Sequence, residues 1–217
     1  MKFSAIYKPT ALFSLRDSKS TSSGAKSLFL PSPYAIKMAF LNQAISLGGE
    51  NFQENTKHFD IIRDTTVSYN IKGNFCVNNF FVKIQKQRDK EPFKPTVSFR
   101  EYIFLDNDLE IIFDVKKDED MAYLKRHLHQ INYFGKRGCF FQFVRYKNEP
   151  SNPNVKAFDA NSLSFGVLQE YDDFDKKLKF DNVNSYSDAK TTRSKIFFVL
   201  PLSTISSSKS YTTYSTN

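Results

Sequence analysis

The chain has 217 residues, with 31 Lys/Arg against 23 Asp/Glu, 40% hydrophobic and 16% aromatic residues, and only 7 glycines. There is ample apolar material for a packed core, which excludes a collagen-like, low-complexity or wholly disordered chain. The formal charge of +8 is uneven: residues 1–105 hold 15 Lys/Arg and 8 Asp/Glu, a net +7, and residues 106–217 hold 16 and 15, a net +1. The basic excess of the first half suits a phosphate backbone, an anionic membrane or an acidic protein.

In chain order, Phe3, Ala5 and Tyr7 alternate with Lys2, Ser4 and Lys8, the period of a half-buried strand that Pro9 limits. A short apolar stretch around Leu12–Leu15 leads into Asp17–Ser27, whose Ser, Lys and Thr content predicts a mobile loop. Ser32-Pro33 is an N-cap followed by proline at the first helical position. Ile36, Ala39, Phe40, Ala44 and Leu47 then recur at helical spacing up to Gly48-Gly49, so a helix is expected over Tyr34–Leu47.

From His58 to Phe75 the β-branched and aromatic residues Phe59, Ile61, Val67, Tyr69 and Ile71 predict strands, broken near Gly73-Asn74. Phe80–Ile84 and Ser98–Phe104 read as strands flanking a polar tip, Gln85–Thr96, with Pro92 and Pro95. Lys83, Lys86, Arg88, Lys90, Lys94 and Arg100 outnumber Asp89 and Glu91 over residues 83–100, a net +4 that makes this a basic hairpin. The turn Leu105–Leu109 joins Tyr102–Leu105 to a strand over Leu109–Val115.

A second helix is expected from Asp118, with Glu119 and Asp120 at its positive end and Met121, Leu124, Leu128 and Ile131 as its buried stripe. Phe134-Gly135 ends it, Lys136-Arg137-Gly138 forms a basic glycine loop, and Cys139–Tyr146 returns as an aromatic strand. This order of elements predicts an α+β fold of the ferredoxin-like (RRM-like) type with an inserted hairpin. Residues 1–147 would form that body, with the hairpin at about 80–104. Residues 148–202 would form a small β-rich appendage, with a strand at Lys195–Leu200 and an acidic run at Glu170–Asp175, and 203–217 a disordered Ser/Thr tail.

Cys76 and Cys139 lie far apart, with no Cys-x-x-Cys pair and no Cys/His spacing of metal ligands, so neither a structural metal nor a cofactor is expected. With no signal peptide and no apolar run near the roughly 20 residues a membrane helix needs, the expected setting is a reducing cytoplasm. Basic and aromatic residues interleave at Phe13–Lys26, at 83–100 and at Tyr133–Arg145. Lysine and arginine suit phosphates and aromatic rings suit unstacked bases, so the mixture fits single-stranded RNA or DNA; solvated lysines around core phenylalanines give the same pattern.

Gly135-Lys136-Arg137-Gly138 lacks the Walker spacing, and reads either as a helix C-cap and tight turn or as a loop that also touches an RNA backbone. His127 and His129 are two residues apart and point to different faces of a helix, so both are expected at the surface or half-buried rather than as a catalytic pair. Asp106, Asp108, Glu110 and Asp114 read as a solvated strand face and turn rather than a divalent-metal site.

The helix start Ser32-Pro33-Tyr34-Ala35-Ile36-Lys37-Met38-Ala39-Phe40-Leu41 follows a first strand and a polar loop. Phe99-Arg100-Glu101-Tyr102-Ile103-Phe104, the strand Leu109–Val115, Tyr123-Leu124-Lys125 and Tyr133-Phe134-Gly135-Lys136-Arg137-Gly138-Cys139 come later. Over about residues 1–147 this order resembles the RAMP proteins of CRISPR systems, in particular the Cas five family of type I Cascade complexes. The resemblance implies a RAMP body whose inserted thumb hairpin holds the 5′ handle of the CRISPR RNA and contacts the backbone and large subunits. Target DNA would be met only indirectly, through pairing with the guide.

By position, the resemblance assigns RNA contacts to Arg16, Lys26, Tyr34 and Lys37, to the thumb residues Lys83, Lys86, Arg88, Lys90, Lys94 and Arg100, and to Lys136 and Arg137. Some members cut precursor RNA with a Tyr/Lys/His constellation, whereas histidine is scarce and poorly placed here. The expectation is therefore a non-catalytic RNA-binding subunit that caps the backbone filament in antiviral defence. The alternatives are a metal-independent endoribonuclease using His127 or Tyr133 with Lys136, and a scaffold protein docking on an acidic partner.

Overall fold

The computed structural model describes residues 1–21, 24–87 and 92–217. The first strand, β1 (Lys2–Pro9), is buried on both faces from Phe3 to Tyr7, which alternation alone did not predict. Short strands follow at β2 (Leu15–Arg16), β3 (Gly24–Ala25) and β4 (Ser27–Leu28). Helix α1 (Pro33–Ser46) starts where the sequence places it: Ser32 caps it, accepting the Ala35 N–H at 3.1 Å.

The segment 56–64, expected to be part of a strand, is helix α2 (Thr56–Asp64). Phe59 and Ile62, three apart, face the core, and Asp60 and Arg63 form an i,i+3 ion pair at 2.6 Å. Helical amphipathicity thus overrides the β-branched content that pointed to a strand. The chain continues through β5 (Thr66–Asn70), the long hairpin β6 (Asn74–Lys86) and β7 (Lys94–Leu105), β8 (Leu109–Asp114), α3 (Asp118–Leu128) and β9 (Phe141–Lys147).

Four of these strands form an antiparallel sheet in the order β5-β8-β1-β9. Phe3, Ala5, Tyr7, Val67, Tyr69, Ile111 and Phe113 from this sheet join Ile36 and Phe40 of α1 and Leu124 and Leu128 of α3 in one core. Ser151 after β9 donates its N–H to Glu110 at 3.0 Å. Glu110 is therefore not the solvated carboxylate the sequence predicted: it is 7% exposed and also accepts from Ser4 and Lys147. Burial alone would raise its pKa, but the Ser151 N–H, the Ser4 hydroxyl and Lys147 outweigh that and hold it below the usual carboxylate value.

The hairpin β6–β7 keeps register over twelve pairs, from Phe75↔Leu105 to Lys86↔Lys94. The rest of the chain contributes β10 (Lys156–Ala157), β11 (Val167–Phe174), β12 (Arg193–Leu200), β13 (Leu202–Ser207) and β14 (Tyr211–Thr216). A small sheet runs β10-β12-β11, and a larger one runs β13-β14-β6-β7-β3. The Ser/Thr stretch 203–217, expected to be disordered, thus lies largely in a hairpin. β14 pairs with β6 from Tyr211↔Asn78 to Ser215↔Asn74, and the Tyr214 ring meets Phe29 edge-on at 5.2 Å. Its threonines and tyrosines are good strand residues, and the neighbouring edge of β6 supplies the backbone partners that composition cannot reveal.

The loop expected to be mobile over Asp17–Ser27 is anchored in its described part. Lys19 forms an ion pair with Glu170, and Ser18 accepts a hydrogen bond from Lys195 at 2.7 Å. Gly24-Ala25 runs parallel to Phe99-Arg100. The architecture is mixed α+β, with several sheets sharing one core.

Candidate nucleic-acid interface

The segment 13–16 stitches together parts of the chain that are distant in sequence. Phe13 exchanges backbone hydrogen bonds with Ile103 on β7, at 3.0 and 2.7 Å. One residue on, the Ser14 carbonyl accepts from the buried Cys139 thiol, just after the glycine loop, at 3.3 Å. A methyl group added at Gly135 would sit 3.3 Å from Leu15 Cδ2, so the loop lies directly on this segment. The Phe13 and Phe134 rings flank Phe141, each with centroids 5.1 Å from it.

Further along, β3 lies against Phe99-Arg100, and Glu101 accepts the Ser27 N–H at 2.9 Å, which holds Lys26 beside the middle of the hairpin. The three basic and aromatic stretches singled out in the sequence therefore converge where the connection 13–27 meets the hairpin and the glycine loop. Within that loop Gly135 has φ 71° and Gly138 φ 102°, conformations that favour glycine. They bracket a tight turn, closed by Cys139 N–H to Lys136 O at 3.3 Å, that leaves Lys136 and Arg137 exposed. The loop is thus a tight turn that presents two cations, and not the cap of α3, whose last residue is Leu128 with His129 as C-cap.

Arg16 is exposed on β2, and its guanidinium donates to Ser20 O at 2.6 Å. Arg100 sits opposite Phe80 on the hairpin and donates to Phe99 O at 3.0 Å. Lys83 and Lys94 are exposed and Lys86 half-exposed further out along the shaft, with Lys86 directly across from Lys94. Arg88 and Lys90 lie outside the described residues.

Tyr34 and Lys37 belong elsewhere. Tyr34 is half-buried, with the Arg193 guanidinium 4.1 Å from its ring centroid and Phe174 edge-on at 5.2 Å. Lys37 is 4% exposed: its ammonium meets Asp173 at 2.7 Å and the Arg63 carbonyl at 2.9 Å. A cation enclosed in this way cannot reach a phosphate, which corrects its assignment as an RNA contact. Its position in a helix start hid this, because the partner Asp173 lies more than a hundred residues away.

The acidic stretch on β11 is met from inside the protein. Glu170 takes Lys19 and Lys195, Asp172 takes Lys195 and Arg193, and Asp173 takes Lys37. The Lys19 contact, with Lys195, holds Glu170 below the usual carboxylate pKa; Asp172 is also low, since Lys195 and Arg193 outweigh its burial. Part of the basic excess of the first half is thus neutralised by the second. Among the described residues, Lys83 and Lys94 on the hairpin and Lys136 and Arg137 on the glycine loop are exposed.

The histidines stand apart from this face. His127 is 4% exposed, more enclosed than the surface or half-buried position expected, and packs edge-on against Phe40 and Tyr123 at 5.5 and 5.7 Å. Burial lowers its pKa, so it is held neutral. His58 binds Glu50 at 2.8 Å and stacks on Tyr123, and His129 contacts the Lys125 carbonyl at 3.1 Å. Among the described residues no histidine bonds or stacks with Tyr133 or Lys136, and no three His, Cys, Asp or Glu side chains cluster as metal ligands. No described helix is long and apolar enough to cross a membrane.

Sequence reasoning missed an exposed aromatic ring on the hairpin. Phe81 is 80% exposed and lies across from Phe99, edge-on at 5.7 Å. The doublet Phe80-Phe81 carried the signal: neighbours on a strand point to opposite faces, so a two-stranded ribbon cannot bury both rings on one side.

No family model matches the chain. A crystal structure of a CRISPR protein from Archaeoglobus fulgidus overlays with a TM-score of 0.47 at 11% identity, over 100% of this chain and 92% of that one. In sequence the chain is 26% identical over 189 residues to the CRISPR-associated protein Cas5 of Archaeoglobus fulgidus, covering 82% of this chain and 81% of that protein. Over most of both lengths, the chain is thus similar in sequence to a CRISPR-associated Cas5 protein.

Proposed function

We propose that this chain is a non-catalytic RNA-binding subunit of a type I CRISPR surveillance complex, in which it holds the 5′ handle of the guide RNA and caps the backbone filament. The observation that carries the reading is the convergence of three basic and aromatic stretches on the segment 13–27, beside exposed Lys136 and Arg137. Lysines and arginines supply salt-dependent grip on phosphates, and splayed bases are read by stacking and edge hydrogen bonds. Guide–target pairing would choose the DNA.

The body reads as a ferredoxin-like RAMP domain. The order strand, helix, strand, strand, helix, strand, with both central strands of the sheet flanked antiparallel, supports this. The hairpin 80–104 reads as its thumb, and 148–202 as an appendage whose β11 acids Glu170, Asp172 and Asp173 are already paired. The backbone and large subunits would dock on surfaces away from the basic face.

The test is retention of CRISPR repeat RNA by the wild type and by a variant with Lys83, Lys136 and Arg137 changed to Ala, alone and in the reconstituted complex. The expected loss is about tenfold or more at low salt. Unchanged binding and assembly would overturn the reading. A parallel incubation in EDTA should leave the RNA intact; cleavage there would support the endoribonuclease instead, and absence of salt-sensitive retention would support the scaffold.

A further inference from the structure

We propose that the Phe81–Phe99 pair on the hairpin shaft is a stacking platform for one unpaired nucleobase, with Lys83 as the clamp for the phosphate beside it. This deepens the RNA-binding reading and rests on it. Phe81 is 80% exposed and shares one face of the hairpin with exposed Val97 and half-buried Phe99, an apolar patch on a basic element. Phe99 stands directly across the ladder and fixes the orientation of Phe81 by edge-on contact at 5.7 Å. The Phe81 ring itself stays open to solvent.

Lys83 lies two residues further along the same strand face, about 7 Å from Phe81 at the rise of a β-strand. Such a spacing suits a base and its own phosphate. Among the described residues Lys83 forms no ion pair, so its charge is available. Asn79 and Glu101 close the platform on the side toward the body. A nucleobase fits better than an apolar protein surface because the exposed ring lies next to an unneutralised cation at the start of residues 83–100, a segment of net charge +4. Every base has a π-face, so the platform accepts any base and adds affinity without reading sequence.

The chain contains no tryptophan, so Phe81→Trp installs a single fluorescent reporter at the platform. Repeat-derived single-stranded RNA should quench this tryptophan, with an affinity near wild type. Phe81→Ala should weaken binding by about tenfold or more, to the same degree for handles of different sequence. Circular dichroism of each variant checks that the hairpin sheet is retained, and Phe99→Leu, which keeps an apolar support but removes the ring contact, should give an intermediate loss. If RNA binds Phe81→Trp with normal salt-sensitive affinity but leaves the fluorescence unchanged, and Phe81→Ala binds equally well, the platform is refuted while RNA binding stands. If no RNA binds the wild type, the underlying reading fails. A tryptophan that responds only to the purified backbone subunit, without RNA, overturns the platform in favour of protein docking.

Discussion

The Lys37 ammonium and the Asp173 carboxylate meet at 2.7 Å in a site where both are largely removed from water. Burial lowers the lysine pKa and raises that of the aspartate, so each is pushed toward its neutral form, while their contact opposes both shifts. The Phe174 ring at 5.6 Å and the Arg63 carbonyl complete the cage. Losing one partner of such a pair strands an uncompensated buried charge, whereas replacing both with apolar side chains can be neutral. Lys37→Met should therefore cost about 3–5 kcal/mol in denaturant unfolding, and the double variant Lys37→Met with Asp173→Leu should recover most of that loss. RNA affinity of the folded double variant should match the wild type, since neither group reaches the basic face. A double variant as unstable as the single one would show that the pair is not acting as a charge pair.

At the scale of elements, the body was legible wherever a local rule sufficed. Ser32-Pro33 and Gly48-Gly49 set the ends of α1, and the acidic start at Asp118 set that of α3. The elements that were misread depend on partners far away in sequence: α2 on core contacts through Phe59 and Ile62, the loop 17–27 on β7 and β11, and β14 on the edge of β6. β14 also shields the hairpin base, because it occupies the backbone groups of β6 from Asn74 to Asn78. Removing residues 211–217 should uncover that edge, lower the melting temperature by several degrees and promote association through the freed strand. Thermal melts and size-exclusion profiles of the truncated chain check this; a monomer with unchanged melting would mean that β14 adds nothing to the hairpin.

For the whole molecule, the charge of +8 divides into cations used internally and cations left for a ligand. Lys19, Lys37, Arg193 and Lys195 meet the acids of β11, whereas Lys83, Lys136 and Arg137 are exposed without an ion pair among the described residues. The sequence located the basic half but could not make this division, because the pairs join residues 19 and 37 to residues 170 and 173 across the fold. The division predicts how each residue enters the salt dependence of RNA binding. For a single strand the slope of log K against log salt changes by about 0.7 per phosphate contact. Lys136→Ala and Arg137→Ala should each flatten the slope by about that amount, and the double variant by about twice as much. Lys19→Ala should leave the slope unchanged, because its charge is already spent on Glu170. Titrations of repeat RNA from 50 to 300 mM salt, on the order of the range over which counterion release dominates, measure these slopes directly. A slope altered by Lys19→Ala and unaffected at Lys136 and Arg137 would overturn this division of the cations.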